Sequence, residues 1–242
     1  MPEISSVLAI GGHAADMEFT AGALVAKYAL AGARAVFLHL TAGEMGHPRL
    51  SGQEYARQKY EEAHNAAQVL GAEARFLPYA DASLPCNDEV AYQIADVIRE
   101  VRPQVVLTHW RGSFHSDHVN THHNTMRALF LAALPAIARS HPPHSPDTVL
   151  FPENWEDMED FDPNLYVDID DVYDQWLEAA NQYELFRGGI SSFRYRDYYQ
   201  ALAIMRGCLS GYARAVALMR PKGALISRVR GLPEAGTPGF VI

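Results

Sequence analysis

The sequence predicts an α/β protein with a doubly wound, mostly parallel sheet, helices on both faces and an α-rich C-terminal elaboration. Over residues 1–152, short apolar runs alternate with segments of helical periodicity about four turns long, which is typical of βαβ units. The runs at residues 7–10 and 105–107 contain no polar residue, as expected for strands buried on both faces. Because crossovers between parallel strands are right-handed, these units favour a doubly wound topology.

Helix-breaking residues separate the elements of this alternation. Gly32 follows the first predicted helix, Gly71 occupies a C′-type position after the second, and Pro103 stops the third. We expect strands at residues 6–10, 35–40, 74–77, 105–109 and 148–151, and helices at 16–30, 53–70, 88–101 and 117–136.

The composition of the sequence and the pattern of its predicted elements change after Pro152. Residues 154–164 are acidic and aromatic and indicate an extended loop, followed by a short strand at 166–169 and helices at 171–186 and 198–219. The tail from residue 221 is rich in proline and glycine, and we expect it to wrap the surface or a neighbouring subunit, which favours a homo-oligomer. These features predict a single domain over 1–242, with a core at 1–152 and the elaboration at 153–242.

Composition and charge exclude several classes of protein. The chain has 242 residues and a net charge of −9, and without a basic stripe it is not expected to bind nucleic acid. It lacks an apolar stretch long enough for a membrane span and a basic, apolar leader, so we expect a cytoplasmic protein that does not bind membranes. The two cysteines, Cys86 and Cys208, are expected to be free, buried thiols.

Two clusters of histidine and aspartate follow two of the predicted strands. His13 and Asp16 come after the first strand, and His115, Asp117 and His118 come after the fourth. Open parallel sheets bind ligands outside the carboxyl ends of their strands, so the two clusters meet if these strands are neighbours. Catalytic zinc takes three ligands from histidine and carboxylate, which here predicts His13, Asp16 and His118. Zn²⁺ is expected, or another divalent ion such as Fe²⁺.

Each of these residues also has a simpler explanation. Asp16 and His118 could each be a residue favoured near a helix N-terminus, and it is their joint placement after two strands that indicates a metal site. His122 competes as a ligand because it lies one helical turn after His118. His109 and His123 are expected to be core or surface residues.

The two clusters resemble motifs of the PIG-L or LmbE-like family, zinc-dependent N-deacetylases that act on N-acetylglucosaminyl conjugates. The family opens with His-Pro/Ala-Asp-Asp-x-Glu after its first strand, and residues 13–18 here read HAADME. Its later His-Pro-Asp-His motif corresponds to HSDH at residues 115–118, and TAGEMG at 41–46 is similar to its loop after the second strand. The resemblance implies a Rossmann-like fold and hydrolysis of an acetamide on an amino sugar.

The resemblance also implies roles for particular residues. It assigns metal binding to the three residues already named. His115, supported by Asp117, would polarise the substrate carbonyl group or hold the oxyanion. Glu44 would lie near the sugar, and Arg57, or alternatively Lys59, would occupy the family's basic position on the second helix.

One departure from the family motif concerns the chemistry directly. The family's general base is the first aspartate of its Asp-Asp pair, and this position is Ala15 here. Losing a general base costs about 10²–10⁴ in rate. Either another carboxylate such as Glu44 or Asp117 replaces it, or activated water suffices for a more reactive substrate, or the chain is a weak or inactive relative, or the alanine is a laboratory substitution.

The predicted function is removal of an acetyl or other acyl group from an N-acylated amino sugar conjugate, and the alternative is a non-catalytic, metal-dependent binder of sugars or other ligands. A nucleotide-binding protein or a serine hydrolase is disfavoured, because neither Gly-x-Gly-x-x-Gly nor Gly-x-Ser-x-Gly occurs at the expected place. Several aromatic residues could form a sugar-stacking wall or belong to the core or a subunit interface: Trp110, Phe114, Trp155, Tyr195, Tyr198 and Tyr199.

Overall fold

A seven-stranded sheet in the order β3-β2-β1-β4-β5-β7-β6 forms the centre of the molecule, which we analysed as a computed structural model describing residues 4–221. The first five strands pair in parallel, whereas β7 runs antiparallel to both β5 and β6. The strands are β1 (Ser6–Gly11), β2 (Arg34–Thr41), β3 (Glu73–Tyr79), β4 (Val105–Thr108), β5 (Thr148–Pro152), β6 (Leu165–Asp168) and β7 (Ala215–Met219).

Helices cover both faces of the sheet. Along β1, Val7 and Ala9 pack into one core while Leu8 and Ile10 pack into the other, so this strand is buried on both sides. The helices are α1 (Asp16–Thr20), α2 (Gly22–Leu30), α3 (Gly52–Val69), α4 (Asp88–Val101), α5 (Ser116–Ala133), α6 (Tyr173–Ala180), α7 (Glu184–Arg187) and α8 (Tyr195–Ser210). Helices α4 and α5 cover one face and the others cover the opposite face. The predicted fold class is confirmed.

The reversal of strand order lies between β1 and β4. Strand β1 pairs with β2 on one side and with β4 on the other, with Val7 opposite both Ala35 and Val105. The carboxyl ends of these parallel strands therefore meet at one edge, where the loops after β1 and β4 share a crevice.

Three predicted helices differ from the structure. The helix expected at 16–30 is interrupted at Ala21, and the one expected at 171–186 is divided into α6 and α7. The helix expected at 198–219 is wrong beyond Ser210, because Gly211 takes a left-handed φ of 79° and residues 215–219 form β7. An unbroken apolar run such as AVALM is compatible with helix or strand, and pairing with β5 and β6 decides it.

The elaboration after residue 152 therefore adds two strands to the sheet of the core. The predicted division at 152–153 falls within a continuous sheet, between β5 and β6–β7. The tail expected to wrap the surface or a neighbouring subunit lies, from residue 222 onward, outside the described residues.

Both cysteines are free but exposed, which corrects the predicted burial. Cys86 lies in the loop before α4, and Cys208 lies on the outer side of α8. Among residues 4–221, no helix combines the length and apolarity that a membrane span requires.

Candidate metal centre

The loop after β1 brings His13 and Asp16 to the edge of the sheet. His13 is buried, and its backbone N–H donates to Asp16 Oδ2 at 2.7 Å, which folds the loop back on itself. Gly43, after β2, has a left-handed φ of 76°, and a Cβ there would lie 3.0 Å from the Cβ of His13. Glycine at 43 therefore leaves room for His13.

Three ligand atoms from the two loops converge. His13 Nδ1 lies 3.2 Å from Asp16 Oδ2 and 3.1 Å from His118 Nε2, and Asp16 Oδ2 lies 3.2 Å from His118 Nε2. Ligands at tetrahedral angles around zinc, about 2.0–2.1 Å from the ion, are about 3.3 Å apart. The spacing and the donor types thus fit a divalent ion. His115, His109, Asp81 and Asp117 extend the triad into overlapping clusters of possible ligands.

Carboxylates lie behind both imidazole rings. His13 Nε2 lies 3.0 Å from Asp81 Oδ1 and 3.5 Å from Asp117 Oδ2, and His118 Nδ1 lies 2.7 Å from Glu156 Oε2. An outer carboxylate keeps the ring proton on the outer nitrogen and leaves the lone pair of the inner nitrogen for a metal ion. Each histidine is thus oriented as a ligand by a second residue.

The electrostatics of the cluster are those of a site that attracts cations. Burial disfavours the charged imidazoles, but Asp16 together with Glu156 raises the pKa of His118 to about 9, and Asp16 together with Asp117 and Asp81 raises that of His13 well above its usual value. Burial likewise opposes ionisation of the carboxyls, but His118 and His13 hold the pKa of Asp16 well below its usual range, and His13 lowers that of Asp81 to about 2. Protons on the two histidines balance carboxylates that a metal ion would otherwise balance.

Two further histidines, His109 after β4 and His122 in α5, have different surroundings. His109 Nε2 lies 3.0 Å from Asp16 Oδ2 and accepts the N–H of Gly12, and burial lowers its pKa to about 4. His109 is therefore buried, and its neutral ring packs against Asp16, a candidate metal ligand. The Nδ1 atom of His122, the competing ligand, lies 2.8 Å from the carbonyl oxygen of His109, and His122 belongs to none of the clusters among the described residues.

His115 and Asp117 are related differently from the prediction. His115 is the N-cap of α5, and its Nδ1 accepts the backbone N–H of Asp117 at 3.3 Å, which leaves the proton on Nε2. The Asp117 carboxylate faces His13 and accepts the N–H of Leu84, so it supports the metal ligand rather than the His115 ring. The reason is geometric: residues two apart at a helix start do not project side chains in the same direction.

The structure places the two predicted substrate-binding residues, Glu44 and Arg57, outside the cavity lining. Glu44 accepts the backbone N–H of Asp81 at 3.0 Å, so it holds the loop that carries Asp81 and is absent from the cavity lining. Arg57 is exposed on α3, whereas Lys59 is buried and lines the cavity. Tyr55 and Lys59 are one helical turn apart on the buried face, and Arg57 lies between them on the outer face.

A cavity of about 240 Å³ opens over His13, Asp16 and His118, the candidate metal ligands. Ala15, which is 2% exposed and has a left-handed φ of 97°, forms part of its wall. Three of the aromatic residues considered for a sugar-stacking wall line it. They are Trp155, Tyr195 and Tyr199. Trp110 lines a different cavity, Phe114 packs on Trp155, and Tyr198 packs on Tyr199.

Residues 8–129 match the model of the protein family PIG-L, described as GlcNAc-PI de-N-acetylase. This chain belongs to the PIG-L family. The diacetylchitobiose deacetylase of Thermococcus kodakarensis is 31% identical over 227 residues, which cover 88% of this chain and 82% of that protein. The 1D-myo-inositol 2-acetamido-2-deoxy-alpha-D-glucopyranoside deacetylase of Kineococcus radiotolerans is 36% identical over 163 residues, 52% of this chain and 45% of that longer protein.

Another relative is named for a different activity. The 4-oxalmesaconate hydratase of Pseudomonas putida is 26% identical over 219 residues, which cover 84% of this chain and 80% of that protein. Among solved structures, GalB, the 4-carboxy-2-hydroxymuconate hydratase from Pseudomonas putida KT2440, superimposes with a TM-score of 0.84 at 22% identity. The superposition covers 93% of this chain and 100% of the GalB chain, so the two proteins share the fold over nearly their whole length.

Two carboxylates of this PIG-L site, Asp81 and Glu156, were not predicted. Asp81 follows β3, and Glu156 follows β5. The sequence did contain a signal for these two residues. Each comes just after a strand whose carboxyl end lies at the same edge of the sheet as those of β1 and β4. Neither lies in a histidine-containing motif, and carboxylates in loops are too common to single out without the sheet order.

Proposed function

We propose that this chain is a metal-dependent hydrolase that removes an acetyl or other acyl group from an N-acylated amino sugar conjugate. The observation that carries the proposal is the triad of His13, Asp16 and His118, with atoms 3.1–3.2 Å apart, at the floor of a cavity. Relatives named as deacetylases of N-acetylglucosamine-type sugars support it.

The three ligands would hold Zn²⁺, or another divalent ion such as Fe²⁺. When bound, such an ion supplies a water molecule of lowered pKa and a Lewis acid for the amide carbonyl group. The outer carboxylates Asp81 and Glu156 keep the imidazoles in the tautomer that binds metal.

His115 is suited to donate a hydrogen bond to the substrate. Burial, and then the neighbouring His118, lower its pKa, so the ring is neutral near pH 7 and carries its proton on Nε2. Its ring lies 4.7 Å from the rings of both His13 and His118 and lines the cavity. A neutral donor at this place would stabilise the oxyanion that develops on the carbonyl oxygen.

Neither carboxylate considered as a replacement base occupies the position of Ala15. Asp117 faces His13, and Glu44 holds the loop of Asp81. The proposal is therefore a slow amide hydrolysis, reduced by about 10²–10⁴ relative to a chain with a carboxylate at that position.

The test is acetate release from N-acetylglucosamine and diacetylchitobiose by the zinc-loaded protein, with and without a chelator. We expect release that the chelator abolishes. His13→Ala and His118→Ala should lose both metal and activity, and His122→Ala, whose ring lies outside the triad, should keep its metal. A fully loaded protein that releases no acyl group from any N-acylated amino sugar would favour the non-catalytic binding alternative, and full metal occupancy in both ligand variants would exclude the site.

A second candidate function is the hydration of an unsaturated carboxylic acid. It is favoured by the hydratase relative, whose alignment covers 84% of this chain. Incubating the loaded protein with unsaturated dicarboxylic acids and following the loss of ultraviolet absorbance tests it. An unchanged absorbance alongside acetate release would reject this candidate.

A further inference from the structure

A buried lysine lies in the cavity wall with no carboxylate partner in the part of the chain that the structure describes. Lys59 is 2% exposed, and its Nζ donates to the carbonyl oxygen of Ala14 at 2.7 Å. Within residues 4–221, no carboxylate oxygen lies within 4.0 Å of Nζ, and Ala14 is its one hydrogen-bond acceptor. An ammonium group has three N–H donors, so two remain for a ligand.

The acidic residues around Lys59 are engaged elsewhere. Asp16 and Asp81 contact His13, Glu18 accepts the hydroxyl of Tyr183 at 2.7 Å, and Glu62 accepts from Gln58 and from the backbone of Glu184. They attract the charge of Lys59 at longer range without occupying its donors. A fully buried lysine without an ion-pair partner is rare, because an unpaired buried charge is costly.

Two phenol groups complete the donor set. Tyr55 and Tyr195 line the same cavity, and their hydroxyl groups have no hydrogen-bond partner within residues 4–221. Burial raises the pKa of both, so both are protonated donors at neutral pH. The ring of Tyr183 covers Nζ at 4.9 Å, which keeps water from that side.

The carboxylates that line the cavity and Lys59 have different partners. Asp16, Asp81 and Glu156 approach histidine nitrogens at the metal end. Lys59 instead bonds the carbonyl oxygen of Ala14, and the next residue of the wall is Ala15, where the PIG-L motif carries a carboxylate. Among the described residues, the cation in this wall thus has no carboxylate in direct contact.

We propose that the cavity beside Ala15 is a carboxylate subsite, in which Lys59, Tyr55 and Tyr195 receive a carboxylate that the substrate carries close to its reacting carbonyl group. The substrate class is then an amide whose acyl group ends in a carboxylate, such as an N-malonyl or N-succinyl amine. In its hydrolysis the C–N bond breaks, the oxygen of water joins the released diacid, and a proton passes to the amine. The inference rests on the proposed function only in taking this cavity as the substrate pocket, and it applies equally to an unsaturated diacid.

The test compares the binding of acetate and succinate by calorimetry, in both zinc-loaded and metal-free protein. Acetate has one carboxylate and can occupy either the metal end or Lys59, whereas succinate has two and can reach both at once. We expect succinate to bind at least tenfold more tightly than acetate, with or without metal. Lys59→Met should bring the two affinities within about threefold, and Lys59→Arg should retain the preference. Arg57→Met, on the exposed face of the same helix, is the matched control and should change neither.

A second variant keeps the proposal testable if Lys59→Met fails to fold. Ala15→Asp places the protein's own carboxylate in the subsite and should abolish the preference for succinate. Equal affinity for both ions in the unaltered protein, or a preference that survives in Lys59→Met or Ala15→Asp, would overturn the subsite. Because binding is measured without turnover, a protein that prefers succinate but hydrolyses no amide would contradict the proposed function alone.

Discussion

At the scale of single residues, Ala15 combines a missing carboxylate with an unusual backbone. Its φ of 97° lies in the left-handed region, which aspartate and asparagine tolerate better than alanine because their side chains bond locally. The loop thus retains a conformation that suits an aspartate, and substitution to aspartate should be accommodated without rearranging His13 and Asp16.

Restoring the carboxylate at this position should raise amide hydrolysis. For Ala15→Asp we expect kcat/KM for an N-acetylated amino sugar to rise by about 10²–10⁴, because a general base becomes available to the attacking water. Metal content, measured by elemental analysis, should not change. An unaltered or lower rate at equal metal content would mean that Ala15 is not a vacant base position.

Glu156 provides a second prediction at this scale. Its carboxylate lies 2.7 Å from His118 Nδ1, and removing such an outer partner typically weakens metal binding about 10–100-fold. Glu156→Gln should show a loss of this size in competition with a chromophoric chelator. Glu159→Gln, in the same loop but exposed, is the control, and equal affinities in the two variants would show that Glu156 does not orient the ligand.

At the scale of elements, α5 is the helix that carries the site. Its N-cap is His115 and its first turn contains His118, while its last carbonyl groups are satisfied by Arg99 of α4. The buried guanidinium donates to the carbonyl oxygens of Leu131, Ala132, Leu134, Ile137 and His141 at 2.8–3.4 Å. One side chain thus adds donors at a helix end, where the carbonyl oxygens of Leu131 and Ala132 also accept the backbone N–H groups of Leu134 and His144.

Replacing the buried Arg99 should destabilise the protein more than replacing an exposed arginine does. Arg99→Met takes the donor from the carbonyl oxygens of Ile137 and His141 and one of two donors from those of Leu131, Ala132 and Leu134. We expect the free energy of unfolding to fall by about 2–4 kcal/mol. Urea denaturation followed by circular dichroism measures it. Arg127→Met removes the exposed ion pair between Arg127 of α5 and Asp88 of α4, and it should shift the denaturation midpoint little. Similar shifts for both variants would contradict the role of Arg99.

At the scale of the whole molecule, the proton balance of the metal site should govern stability against pH. In metal-free protein the pKa of His118 is raised to about 9 from an ordinary value of 6.5, so its contribution is present below pH 6.5 and is lost as pH rises through 9. The pKa of Asp81 is lowered from 3.8 to about 2, so its contribution is lost as pH falls through that range. A divalent ion displaces the histidine protons and therefore binds more tightly as pH rises.

Metal-free protein should accordingly melt at a lower temperature at about pH 8.5 than at about pH 5.5, and the increase in Tm on adding Zn²⁺ should be larger at the higher pH. Thermal denaturation with and without a chelator measures both. A metal-free Tm that rises with pH over this interval would show that the histidines are not protonated in place of the ion.

How far the sequence predicts this protein depends on the range of the interactions involved. The parallel core was predictable because burial on both faces makes each strand an unbroken apolar run, and glycine and proline mark where helices end. His13, Asp16 and His118 were predictable because each follows a strand whose position in the sheet is set by the fold class. The boundary at Ser210 and strand β7 were not, because an apolar run without period takes its structure from the strands that pair with it.

The sequence by itself determined the fold class and predicted three residues as metal ligands, since strand and helix periodicity and short motifs are properties of neighbouring residues. Only the tertiary structure decided that Asp81 and Glu156 stand behind the two imidazoles, that Asp117 turns to His13, and that Lys59 rather than Arg57 enters the cavity. These contacts join loops that lie far apart in the chain, and their geometry depends on sheet order and helix rotation, which no local pattern encodes.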